Sequence, residues 1–312
     1  MSAMFSSRRT VLKSALGLAA SAALPMGALA KDAAKAVATA LSDRLLLVSG
    51  LGGNIVALRS DAGVLLVDSG SPGATSKLQA ELKRFAPGAK VTTVINTHWH
   101  TDQTGGNEVF AKGGAKIIAH AKAAQRMAVD QYVPWEDRYL KARSREAVPT
   151  EVIYTGSREL TFGGEHIEYG YLFQAHTDGD IYVHFRNANV LVVGDVLAVG
   201  RYPIMDYCTG GWIGGTVTAA QALAARSEAA TKIIPGTGAV QGRAQLEAEY
   251  AMLNDLKLRL SKLLAQGMSV EDMIQAAPTH DYDTTWGDPQ LFIRTVWPGL
   301  VARARELGVS IV

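Results

Sequence analysis

The stretch Asn96-Thr97-His98-Trp99-His100-Thr101-Asp102-Gln103-Thr104-Gly105-Gly106-Asn107 follows directly on the apolar run Val91 to Ile95. Residues i and i+2 of an extended segment point the same way. His98 and His100 therefore present two imidazoles to one point at the end of a strand, and Asp102 continues the series as the chain turns. Imidazole is the commonest metal ligand among side chains, and two histidines with a carboxylate suit a zinc-like ion. The competing reading is a pair of surface histidines beside a loop. The chain holds seven histidines in all, and the local order of strand, H-x-H-x-D and glycine turn favours the metal. The carboxyl end of a strand is also where α/β sheets carry their ligand sites.

A chain of 312 residues with 48% hydrophobic and 19% charged residues folds as one large α/β domain or two modest ones. A net charge of +2 gives no footing for nucleic acid. The one cysteine, Cys208, excludes an intramolecular disulfide, and a small buried filler is the expectation for it. Residues 1–30 read as a Tat signal peptide. Arg8-Arg9 precede an apolar stretch from Ser14 to Leu29, and Ala28-Leu29-Ala30 has the small-x-small form of a cleavage site. Pro25 and Gly27 interrupt that stretch, which is short for a membrane span. The expected mature domain is 31–312, periplasmic or secreted, with no stable membrane span after cleavage. A cargo folded before export also suits the lack of disulfides in an oxidising compartment.

Short β-type runs open the body at Arg44 to Val48, Asn54 to Leu58 and Val64 to Val67, separated by glycine turns. Helical spacing covers Ala74 to Phe85 and stops at Pro87-Gly88. Glu108 to Lys112 and His120 to Asp130 read as helices around a strand at Lys116 to Ala119. Residues 131–150, with Tyr132, Pro134, Trp135 and Tyr139 and no clean period, read as an irregular flap near the site; a packed connector is equally allowed. A second set of strands follows at Glu151 to Tyr154, Glu159 to Phe162, His166 to Tyr169, Tyr171 to Gln174, Ile181 to Phe185 and Val190 to Val193, with one more at Lys232 to Ile234. Helical patterns cover Val217 to Ala229, Gln245 to Ala265, Val270 to Ala276 and about 289 to 307. Residues 31–43 read as a loosely ordered lead-in. Two sheets packed face to face with helices outside would bury such strands.

Three more strand ends carry polar turns: Gln174-Ala175-His176-Thr177-Asp178-Gly179-Asp180, Val192-Val193-Gly194-Asp195 and Ile233-Ile234-Pro235-Gly236-Thr237-Gly238. Taken with H-x-H-x-D and the early Leu66-Val67-Asp68-Ser69-Gly70, their order and spacing resemble the metallo-β-lactamase-fold hydrolases, from about Asn54 to Gly238. The resemblance implies an α/β fold, a four-layer αββα sandwich of two mixed β-sheets with the metal site at one edge. It matches His98, His100 and His176 to the three-histidine site and Asp102 to the second site's aspartate. Asp195 matches the position that bridges two metals or belongs to the second. Two positions depart from the two-metal pattern: H-x-H-x-D-H reads Gln103 at its last place, and P-G-H-G reads Thr237 at its third. Both missing histidines belong to the second metal, and the two carboxylates left there suit zinc poorly.

The resemblance therefore implies one Zn2+, with a second metal contested. Three neutral nitrogens leave zinc one open position for water, whose pKa falls to about 7 in such centres. The expected activity is hydrolysis of a small ester, thioester, lactone or amide by metal-bound hydroxide, with Asp102 as the catalytic base or water orienter. The rival is a degenerate member that binds metal or ligand without catalysis. Asp195 can alternatively brace a ligating histidine. The expected partner is a small-molecule substrate, with the loops 131–150 and 201–216 choosing it. Tyr202, Asp206 and Tyr207 are candidate substrate contacts, weighed evenly against ordinary turn packing. Trp135, Trp212 and Trp286 are candidate pocket walls. His120, His166, His184 and His280 lack metal spacing and read as surface or packed residues.

Overall fold

The computed structural model describes residues 35–308. The signal peptide expected at 1–30 lies outside the described residues. In chain order the strands are β1 (Val37–Ala40), β2 (Leu45–Leu51), β3 (Gly53–Ser60), β4 (Gly63–Val67), β5 (Val91–Ile95) and β6 (Lys116–His120). They continue with β7 (Gln131–Val133), β8 (Arg138–Leu140), β9 (Glu151–Ile153), β10 (Ser157–Phe162), β11 (Glu165–Leu172), β12 (Asp180–Phe185), β13 (Val190–Gly194) and β14 (Lys232–Pro235). The α-helices are α1 (Thr75–Phe85), α2 (Thr101–Thr104), α3 (Asn107–Lys112), α4 (Ala121–Met127) and α5 (Ile213–Arg226). The carboxyl-terminal part adds α6 (Arg243–Ala265), α7 (Val270–Gln275), α8 (His280–Trp286) and α9 (Gln290–Glu306).

One sheet runs β1-β2-β3-β4-β5-β6-β9 and a second runs β10-β11-β12-β13-β14. Both are mixed. β1 to β4 pair antiparallel, while β4-β5, β5-β6 and β6-β9 pair parallel. In the second sheet only β13-β14 is parallel.

Strand alternation explains the layers. Leu45, Leu47, Leu65 and Val67 face Ile167, Val183, Phe185 and Val192 in one buried cluster between the sheets. Their neighbours Leu46, Val48, Val64 and Leu66 pack outward with Leu78, Leu82 and Phe110 of α1 and α3. Leu191, Val193 and Ile233 likewise pack outward with Leu223 and Leu246 of α5 and α6. Strands buried on both faces read as unbroken apolar runs, which is how β2, β4 and β13 look in the sequence. The expected αββα sandwich is the fold observed.

Several local expectations change. The lead-in contains a strand, since Val37–Ala40 pairs with β2 as an exposed edge. The 151–154 run joins the first sheet instead of the second, beside β6. The two strands expected at 166–169 and 171–174 are one, because Gly170 continues β11 against Tyr182. His280 opens a short helix instead of lying in a loop. Among the described residues no helix is long and apolar enough to cross a membrane.

Candidate metal centre

β5 delivers the opening motif to the edge of the sandwich, and His98, His100 and His176 converge there at 1%, 9% and 4% exposure. The three rings stand edge-on to one another with centroids 4.8, 4.9 and 5.0 Å apart. One ligand atom from each histidine and a carboxylate oxygen of Asp195 all lie within 4.8 Å of one another. Asp195 Oδ2 stands 3.8 Å from Nε2 of both His98 and His176.

Each ring has its tautomer set by the atom behind it. Thr97 Oγ1 donates its single hydrogen to Asp68 Oδ2 at 2.8 Å, and Thr97 N–H donates to Asp68 Oδ1 at 2.8 Å. At 3.1 Å from His98 Nδ1 the hydroxyl can then only accept, so Nδ1 carries the proton. His176 Nδ1 donates to the Ile204 carbonyl at 2.8 Å. His100 Nε2 donates to Asp206 Oδ2 at 3.1 Å. The lone pairs left over are on His98 Nε2, His100 Nδ1 and His176 Nε2, and all point inward. His176 Nε2 and His100 Nδ1 face each other at 3.1 Å. His98 Nε2 is buried without a partner.

A buried acceptor with no donor, here His98 Nε2, costs about 1–3 kcal/mol. A cation with nitrogen affinity removes the cost, so the donor set fits zinc. Burial, reinforced by the neighbouring rings, holds His98 well below and His176 below the usual imidazole range. Burial also pulls on His100, but the hydrogen bond and charge of Asp206 outweigh it and raise this ring. The same contact holds Asp206 low against its own burial.

Two close approaches build the far wall. Gly194 turns with φ +57, and a Cβ there would meet Thr97 Oγ1 at 2.8 Å, so the end of β13 closes on the base of the histidine motif. A Cβ at Gly236 would lie 2.0 Å from Asp195 Oδ1. The Pro235-Gly236-Thr237 turn therefore presses directly on Asp195. Gln103 is fully buried; its Nε2 donates to Asp102 Oδ2 at 3.2 Å and to the Gly236 carbonyl at 3.3 Å, while its Oε1 lacks a partner. Burial and the charge of Asp195 raise Asp102 above the usual carboxylate range.

The cleft over this centre has a volume of about 170 Å³ and is bordered by Asp102, Asp195, Trp135, Arg138, Arg201 and Ile204 among others. Within the 131–150 segment the hairpin β7–β8 brings Val133, Trp135, Arg138 and Leu140 to the cleft. Trp135 stands 5.8 Å from the His100 ring. None of Tyr202, Asp206 or Tyr207 lines the cleft. Tyr202 turns into the helical layer, stacking on Phe292 at 5.1 Å and donating to Asp283 at 2.8 Å. Asp206 is buried behind His100. Tyr207 lies with Trp212 at a separate surface hollow beside α9, and Trp286 is buried with Tyr202. Cys208 is exposed, not a buried filler.

A sequence profile described as the metallo-beta-lactamase superfamily matches residues 48–250. The chain belongs to that superfamily of metal-dependent hydrolases. The 2,4-dinitroanisole O-demethylase subunit alpha of Nocardioides sp. (strain JS1661) is 29% identical over 165 residues, which cover 52% of this chain and 47% of that protein. Metallo-beta-lactamase IND-1 of Chryseobacterium indologenes is 28% identical over 164 residues, covering 53% and 62%. The matched part thus spans about half to three-fifths of these relatives' length. In fold, the chain is similar to the sec-alkylsulfatase Pisa1 from Pseudomonas sp., with a TM-score of 0.67 at 16% identity over 88% of this chain and 51% of that one.

Proposed function

We propose that the chain is a zinc-dependent hydrolase with one tightly held zinc on His98, His100 and His176, acting on a small ester, thioester, lactone or amide. The observation that carries it is the convergence of three imidazole lone pairs whose tautomers are set from behind, one of them on an orphaned nitrogen. Bound zinc supplies a Lewis acid that polarises a carbonyl and lowers the pKa of water.

The chain's own groups do the rest. Asp206, Thr97 and the Ile204 carbonyl hold the rings, so binding needs no reorganisation. Asp195, placed 3.8 Å from two of the ligand nitrogens, is the carboxylate nearest the centre. Asp102 stands at the cleft, kept in place by the Gln103 amide, as the group that accepts or orients a proton. Trp135, Val133 and Leu140 offer an apolar wall that excludes water from a substrate's acyl part. Gln103 and Thr237 leave the second-metal corner without imidazoles, which supports a count of one zinc. The twin-arginine leader supports export, with a mature chain beginning at Lys31 in the periplasm or medium; the amino-terminal mass of the secreted protein tests this.

The test of activity is a screen of generic esters, thioesters, lactones and a chromogenic cephalosporin, run beside a His100→Ala control. Turnover above the control, lost on chelation and restored by zinc, is expected. A zinc-loaded protein with no turnover of any class would leave the ligand-binding reading in its place. The paired substitution Gln103→His with Thr237→His is expected to raise zinc content above one per chain; unchanged content would refute the placement of these two residues.

A further inference from the structure

Between the two histidines of the H-x-H motif stands Trp99, buried at 2% exposure. Its ring packs with Ala119, Ala123, Met127 and Val133 and meets the His100 ring edge-on at 4.5 Å. The indole N–H leaves this apolar cluster to donate to Thr209 Oγ1 at 3.2 Å. Thr209 is fully buried and ends the single 3-10 turn Tyr207–Thr209 that Asp206 opens. Trp99 thus reaches 110 positions along the chain, to the residue that holds the hydrogen-bond partner of its own neighbour, His100.

The direction of every hydrogen in this series follows from the groups. An indole N–H only donates, so the Thr209 oxygen accepts it and the hydroxyl hydrogen points elsewhere. That hydrogen goes to Asp206 Oδ2, the oxygen that also receives His100 Nε2–H. Its other acceptor, the Asp206 carbonyl, is farther away at 3.5 Å. Thr209 N–H reaches Asp206 Oδ1 at 3.3 Å. All of these hydrogens run toward the carboxylate, and the one on His100 is drawn to Nε2. The competing place for it is Nδ1, where His176 Nε2 stands 3.1 Å away as an acceptor. The same turn also grips the loop of His176. The Thr209 carbonyl accepts from Asp178 N–H at 2.7 Å, and Asp206 N–H donates to the His176 carbonyl at 2.9 Å.

We propose that Trp99 and Thr209 are positioning residues of the metal centre: the indole N–H, acting through the Thr209 hydroxyl, holds Asp206 so that His100 keeps its proton on Nε2 and offers Nδ1 to the metal. Neither residue lines the cleft. The consequence for zinc affinity rests on the three-histidine zinc site of the hydrolase reading; the consequence for the His100 tautomer does not.

Two measurements test it. The first is zinc affinity by competition against a chromophoric chelator, with urea unfolding of each zinc-free form as the control for folding. Thr209→Val should weaken zinc about 10–100-fold, the effect of removing a group that orients a ligating histidine. Thr209→Ser keeps the hydroxyl and should restore most of that affinity. Trp99→Phe keeps a ring, loses the N–H and should weaken zinc about 3–10-fold, one neutral hydrogen bond. Trp99→Phe combined with Thr209→Val should bind no more weakly than Thr209→Val alone, because the N–H acts only through the hydroxyl. Losses that multiply would mean that Trp99 acts by packing, and would overturn its role. The second measurement reads the tautomer itself, by histidine 15N NMR of the zinc-free protein at a pH where His100 is neutral. Wild type should carry the proton on Nε2. In Thr209→Val, and to a smaller degree in Trp99→Phe, it should shift toward Nδ1. His100 protonated at Nε2 to the wild-type extent in both variants overturns the proposal. The expected tautomer shifts in a protein that takes up no zinc would sustain the series from Trp99 to His100 and refute the hydrolase reading instead.

Discussion

Replacing Asp206 with asparagine perturbs the metal centre without touching a ligand. Two donors, His100 Nε2–H and the Thr209 hydroxyl, converge on Asp206 Oδ2, and Thr209 N–H reaches Oδ1 at 3.3 Å. Asp206 is 1% exposed, so no water substitutes for a lost contact. Asparagine offers one acceptor and one donor where the carboxylate has two acceptors. With its oxygen toward His100, the amide hydrogens clash with Thr209 N–H. With its nitrogen toward His100, the imidazole must move its proton to Nδ1, and the inward lone pair is gone. Either way a charge-assisted bond becomes neutral or is lost, a difference of about 1–3 kcal/mol. This corresponds to about 10–100-fold in zinc affinity, the usual effect of removing a group that orients a ligating histidine. Competition against a chromophoric chelator measures it. The zinc-free variant should lose less stability than the zinc-loaded one, since the tautomer matters only when metal is bound. Zinc affinity within twofold of wild type would refute the reasoning that the hydrogen bond behind His100 prepares its nitrogen for metal.

Two further outcomes follow from the same contacts. Thr97→Val keeps the volume but strands the buried Asp68 oxygen and frees His98 Nδ1; urea unfolding of the zinc-free variant should show a loss of about 1–3 kcal/mol, and its zinc affinity should fall as well. His184 is held at about 4 by burial and then by the charge of Arg186. Its folded pKa lies below the ordinary value, so the associated stability is fully present above about pH 6.5 and is lost as pH falls toward 4. The zinc-free protein should lose up to about 3 kcal/mol from this group, and urea titrations at pH 7 and 4.5 should show a smaller loss for His184→Gln.

The parts of the site that lie on strand ends were readable from the chain. His98 and His100 share one face because their spacing matches the period of an extended segment. His176 and Asp195 follow apolar runs into glycine turns. The sandwich was legible for the same reason, since strands buried on both faces leave unbroken apolar runs. What failed to show were contacts made across the fold. Asp206 lies 106 positions from His100, and nothing local distinguishes a carboxylate that braces a ring from one that faces solvent. Tyr202 read as evenly a substrate contact or turn packing because it follows Asp195, and its ring packs against Phe292. The β11 strand read as two because Gly170 interrupts its pattern, while its pairing with Tyr182 is set by the partner strand.

X-ray absorption at the zinc edge of the purified protein, with metal content measured on the same sample, tests the three-histidine centre most directly. The prediction is close to one zinc per chain with three imidazole nitrogens at about 2.0–2.1 Å, and loss of the imidazole signature in His98→Ala. A zinc-free protein that takes up no zinc from buffer, or a zinc whose neighbours lack imidazole, would contradict it.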